Sequence, residues 1–250
     1  MKINTDINIL GGLPDWKLVE YFYNNKAIKK ELNINSITSI KTNKSVNRFM
    51  NAIHNTLLYF QTPNVEVLFR TLIEKEGISK PTLFFLFWNA SVNNDLFRYL
   101  NENVYFPAFF SGRYSINYDE VVACLMDLKK EEQELEKWSG GTIKKTASKY
   151  LTLLKKFGLL EGTQTKKILH PFLDDKLLIL FIFWLISISD KSNLLKSLWL
   201  KYSFTEPQTF IERITKKQFT KYIDIIYTGD NLKIEPLIEY GELYENITGN

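Results

Sequence analysis

Between Lys137 and Pro171 the sequence sets eight lysines against a lone acid, Glu161, so this stretch carries +7 while the rest of the 250-residue chain carries −3. Concentrated positive charge of that kind is suited to neutralising the phosphates of a polyanion, whereas the whole-chain charge of +4 would suit many proteins. Residues that could support a reaction are poorly arranged by comparison. His54 and His170 lie far apart in sequence and have no partners at metal-ligand spacing. The acids Asp119-Glu120, Glu131-Glu132 and Asp174-Asp175 are adjacent pairs, and on a helix adjacent residues point about 100° apart, not at one substrate. Cys124 is the only cysteine, which excludes an intramolecular disulfide and a cysteine-based zinc cluster. Its apolar neighbours predict a small core residue. No glycine-rich dinucleotide or phosphate-loop motif occurs. The expectation is a protein without catalytic residues, metal, cofactor or small-molecule substrate.

The lysines need an element to align them. At about 100° per residue, Ile143, Ala147, Tyr150, Leu151, Leu154 and Phe157 share one side of a helix. Lys144, Lys145, Ser148, Lys149, Thr152, Lys155 and Lys156 then cover a contiguous arc of roughly 140° on the other side. Lysines can take phosphates there, and the small hydroxyl residues leave room for a groove to approach. Thr142, after the turn Ser139-Gly140-Gly141, is the expected N-cap. Gly158 ends the helix, Leu159-Leu160 begins a strand, residues 162–165 turn, and residues 166–169 return. Lys166 and Lys167 would then stand on a wing that touches phosphate or the minor groove. No arginine lies in the segment, so bidentate reading of guanine is absent and sequence specificity is limited.

The remaining pattern is helical. Helices are expected near 14–30, 45–61, 64–76, 80–101, from 118 into the charged run after 127, and near 174–189, 191–202, 206–214, 217–227 and 237–246. The first 12 residues read as a loose entry and 33–45 as a loop. A short strand follows a Gly229-Asp230 turn. The apolar run Leu177 to Ile188 has 12 residues, short of the about 20 that a bilayer span requires, and reads as a buried helix. With no leader-like N-terminus, a cytoplasmic protein is expected. Pro107 and Gly112 interrupt the pattern, marking a junction between a helical N-terminal domain, 1–115, and a second domain, 116–250. The expected fold is mainly α, with a winged helix-turn-helix and one small β-hairpin wing in the C-terminal domain. A second, weaker basic surface could come from Lys41, Lys44 and Arg48, or from Arg213, Lys216, Lys217 and Lys221, with a solvated face the leading reading of each.

The order W-S-x-x-T-x-K-K-x-A-x-K-Y-L-x-L-L-K-K-F-G-L-L, from Trp138, resembles the winged-helix region of the BrxA family of BREX phage-defence systems. More loosely, KTNKSVNRFMNAIHNTLLYF, from Lys41, resembles that family's N-terminal half. The resemblance implies a mostly helical, non-enzymatic accessory protein that binds double-stranded DNA. By the same resemblance its partners would include other BREX proteins, and no membrane. A competing expectation is a protein–protein adaptor, docking through the winged helix, with the lysines serving solubility. The aromatic-rich segment 102–114 suits that second reading.

Overall fold

Short polar side chains set where the long helices begin, because the first amides of a helix have no intrahelical acceptor. In the computed structural model, which describes residues 3–25, 40, 42–189 and 193–249, Thr62, Ser79, Asn94 and Asp174 each accept the backbone N–H three residues on. The helices are α1 (Asp6–Leu10), α2 (Lys17–Asn24), α3 (Asn43–Ala52), α4 (Pro63–Glu76), α5 (Lys80–Asn93), α6 (Asp95–Leu100), α7 (Phe106–Phe110), α8 (Tyr118–Glu131), α9 (Gly140–Lys156), α10 (Asp175–Ile188), α11 (Pro207–Ile214) and α12 (Leu243–Thr248). The strands are β1 (Ser115–Ile116), β2 (Leu160–Glu161), β3 (Lys166–Ile168), β4 (Ile223–Thr228) and β5 (Asn231–Pro236). The chain is therefore mainly helical, as expected, with small antiparallel strand pairings in the orders β1-β3-β2 and β4-β5.

These elements form two compact units. The first joins Met1–Tyr59 to Ile78–His170, and the second joins Phe60–Gly77 to Pro171–Asn250. The expected cut after residue 115 falls inside the first unit, and inside β1 itself, whose Ser115 and Ile116 pair with Lys167 and Lys166. The segment that looked like a linker is structured by this pairing and by the π-helical turn Asn101–Tyr105 that leads into α7.

In the first unit α5 is buried along its length, from Phe84 to Ser91. Asn89 on that helix donates to the carbonyls of Leu57 (2.7 Å) and Tyr59 (2.9 Å), satisfying acceptors at the end of the π-helical turn Ile53–Leu57. In the second unit α10, the long apolar run, is buried from Leu177 to Ile186 and packs against α4 and α12. Among the described residues no helix is long and apolar enough to cross a membrane.

Several expectations are corrected. The N-terminal entry contains α1, which buries Ile7 and Leu10. The helix expected over 80–101 breaks at Asn94, whose extended backbone and side-chain cap to Phe97 start α6. Residues 217–227 are not one helix. A 3-10 turn, Lys217–Phe219, leads into β4, where Ile223, Ile225 and Ile226 favour the extended chain. The segment after 193 forms 3-10 turns, Leu194–Lys196 and Leu200–Ser203, instead of a helix to 202. Most of the loop expected over 33–45, and Lys41, lie outside the described residues.

Candidate nucleic-acid interface

The basic helix starts two residues before the expected cap. Ser139, not Thr142, is the N-cap, and its Oγ accepts the Thr142 N–H at 3.1 Å. Gly140 and Gly141 thus form the first turn of α9. Just before it, Lys129 Nζ donates to the Trp138 carbonyl at 2.7 Å, tying the end of the α8–α9 connection back to α8.

The apolar side of α9 packs as its spacing predicts. Ile143, Ala147, Tyr150, Leu151 and Leu154 are buried. The Tyr150 hydroxyl donates to Asn101 Oδ1 at 3.0 Å, Asn101 Nδ2 donates to Ser91 Oγ at 3.1 Å, and Ser91 donates to the Phe87 carbonyl at 2.9 Å. This buried chain fixes the rotation of α9, and so determines which side faces outward. Phe157, just past its end, packs on Trp16, with ring centroids 5.1 Å apart.

The outward arc is not uniformly open. Lys144, Lys145, Ser148 and Lys155 are exposed, while Lys149, Thr152 and Lys156 are half-buried. α1 and the glycines after it close one edge. Asn8 Nδ2 donates to Thr146 Oγ1 at 3.1 Å, and Trp16 Nε1 donates to the Lys156 carbonyl at 3.1 Å. Gly11 lies so close that an added Cβ would come 2.5 Å from the Lys149 carbonyl oxygen. Burial, reinforced by the Lys149 charge and opposed by Asp15, holds the Lys156 ammonium below the ordinary lysine range. At the other edge, the Tyr118 hydroxyl of α8 donates to the Lys144 carbonyl at 2.9 Å. Thr152 donates its hydroxyl to the Ser148 carbonyl at 2.8 Å.

The hairpin β2–β3 forms as expected, and its lysines are partly committed to it. Lys155 Nζ donates to the Gly162 carbonyl at 3.0 Å and Lys166 Nζ to the Thr163 carbonyl at 2.5 Å, so two cations brace the turn from opposite ends. Burial, then the Lys155 charge, lowers the Lys166 pKa. Lys167 stands over the Tyr114 ring, 5.4 Å from its centroid. A hydrogen bond to Tyr114 raises the Lys167 pKa. By contrast, no hydrogen bond or ion pair engages the ammonium groups of Lys144 and Lys145 among the described residues.

Two residues of this surface are missed by sequence reasoning. Tyr114 is 65% exposed, and its carbonyl accepts the Ile168 N–H, which places it at the foot of the hairpin. Arg113 precedes it and pairs with Glu120, lowering the carboxylate's pKa. Both lie about fifty residues before the hairpin in sequence, and only the β1–β3 pairing brings them to it. A two-residue strand has no periodicity from which to read that pairing.

Other expected features resolve differently. Cys124 is half-buried beside the Tyr99 hydroxyl, and is not a fully enclosed core residue. His170 packs on Phe109 at 5.1 Å. Arg213 is buried, donating to the Leu173 carbonyl at 2.5 Å and pairing with Asp175 at 3.3 Å, so it is not part of a solvated face. Lys44 and Arg48 are exposed. Among the described residues no three His, Cys, Asp or Glu side chains gather to hold a metal ion.

No curated protein and no solved structure matches the chain. The BrxA family profile matches it over residues 17–182, more than half its length and including the whole of α9 and the hairpin. The chain belongs to the BrxA family of BREX systems.

Proposed function

We propose that this protein is a non-enzymatic, cytoplasmic, double-stranded DNA-binding accessory protein of a BREX phage-defence system. Residues 106–168 act as a winged helix-turn-helix: α7, β1, α8, α9 and the β2–β3 wing follow in that order, with β1 closing the small sheet. The observation that carries this reading is the outward arc of α9. Lys144, Lys145, Ser148 and Lys155 are exposed there in a segment whose only acid, Glu161, lies beyond the helix. Lys144 and Lys145 are the principal phosphate contacts, while Lys155 and Lys166 hold the wing that carries Lys167. Charge without arginine in α9 or the wing supports a grip on the backbone with limited sequence specificity.

The adaptor reading is less well supported. Of the five rings in the segment 102–114 that favoured it, Tyr105, Phe106 and Phe109 are buried and Phe110 is half-buried, which leaves Tyr114 as the exposed one.

Fluorescence anisotropy with random-sequence duplex DNA across a salt series tests the proposal. Affinity should fall steeply with salt, and Lys144→Gln with Lys145→Gln should reduce the log–log slope by about two, one per lost phosphate contact. An unchanged slope in that double variant would remove α9 from the contact.

A further inference from the structure

We infer that the second unit carries its own phosphate-contacting surface, built from Lys176, Lys216, Lys217 and Lys221, which grips the backbone of the same duplex. The inference rests on the DNA-binding reading above, but on different residues.

Asp175 gathers this surface. Its Oδ1 accepts from the Arg213 guanidinium of α11 at 3.3 Å, and its Oδ2 accepts from Gln218 in the 3-10 turn Lys217–Phe219. One carboxylate thereby ties the first turn of α10, which also contains Lys176, to the 3-10 turn that Lys217 opens. A hydroxyl bond from Thr220 to the Lys217 carbonyl (2.8 Å) continues the turn towards Lys221, whose Nζ stands 4.6 Å from the Tyr222 ring centroid.

Three acids, in α10, in α11 and at the cap of α10, have other partners. Asp175 is occupied by Arg213 and Gln218, Asp174 accepts the Leu177 N–H as the cap of α10, and Glu212 accepts from Gln208 at 3.2 Å. All four lysines are exposed, and among the described residues none of them has an acidic partner. Lys176 is also badly placed for helix stability, since a cation in a first turn opposes the positive end of the helix dipole. Its position is therefore not explained by local structure. The Arg213 guanidinium offsets the charge of Asp175, and four exposed lysines with no acidic partner of their own among the described residues suit phosphodiester oxygens. Arg213 stays out of the contact as the buried anchor, with Phe172 packed 4.4 Å from its guanidinium carbon.

The test uses the full-length chain, the same random-sequence duplex and a salt series. One variant combines Lys176→Gln, Lys217→Gln and Lys221→Gln, and circular dichroism checks that these exposed changes leave the fold intact. The expected result is a log–log slope reduced by about three. An unchanged slope, in a wild-type protein that binds, would overturn this inference and leave the α9 assignment standing. Binding lost in this variant but retained with full slope in Lys144→Gln/Lys145→Gln would do the reverse. Failure of the wild-type chain to bind duplex at all would overturn both.

Discussion

Tyr150 shows how one polar atom can govern the direction a helix faces. Its hydroxyl is fully buried and is held by Asn101. Tyr150→Phe leaves the Asn101 acceptor without that donor and should lower stability by about 1–3 kcal/mol, measured by urea denaturation. The substitution removes no cation, so the salt slope of DNA binding should not change in the folded fraction. Lys156 makes a prediction of opposite sign. Its folded-state pKa is depressed, so the unfolded chain binds that proton more tightly than the native one. Stability should therefore rise as pH climbs through the folded pKa towards the unfolded value, and the charge is a standing cost below that window. Lys156→Met should flatten the alkaline rise and raise the urea midpoint at neutral pH. A lower neutral midpoint would show that the ammonium stabilises the fold. None of this is visible in the sequence, where Lys156 looks equivalent to Lys155. Trp16, which donates to the Lys156 carbonyl, and Asp15, whose charge acts on its ammonium, lie about 140 residues earlier.

At the scale of elements, what could be read depended on length. α9 and α10 declare themselves, one by a two-faced pattern over 17 residues and the other by the apolar run of 12 from Leu177 to Ile188. α1, with five residues, and β1, with two, are stabilised by what they touch and not by their own composition. Both nonetheless shape the interface, since α1 closes one edge of the arc and β1 delivers Tyr114. Gly11 makes the first of these contacts testable. Gly11→Ala places a methyl against the Lys149 backbone, where neither side has a flexible atom to yield, and α1 must shift. A loss of about 1–3 kcal/mol is expected in denaturant titrations, as for overpacking of a core. The wing has a comparable weak point at Gly162, whose φ is +87° and where a Cβ would meet the Thr165 carbonyl oxygen at 2.2 Å. Gly162→Ala should deform the turn that Lys155 and Lys166 brace, weakening DNA binding while the contribution of Lys144 and Lys145 to the salt slope remains.

At the scale of the molecule, the division into units was the least legible feature. Composition suggested a cut near 115, because Pro107 and Gly112 look like a linker. The physical division instead follows packing between distant segments, with α4 assigned to the unit formed by the C-terminal residues. Fragments 1–115 and 116–250 should accordingly fail to unfold cooperatively when expressed alone, as judged by urea titration followed by circular dichroism. The same insertion of α4 has a consequence in time. Val65, Leu68, Phe69, Leu72 and Ile73 form its buried face, and α10, against which α4 packs, begins at Asp175. At ribosomal rates of about 5–20 residues per second, the roughly hundred residues between them take about 5–20 s to synthesise. For that interval the nascent chain carries a finished apolar helix whose partner does not yet exist.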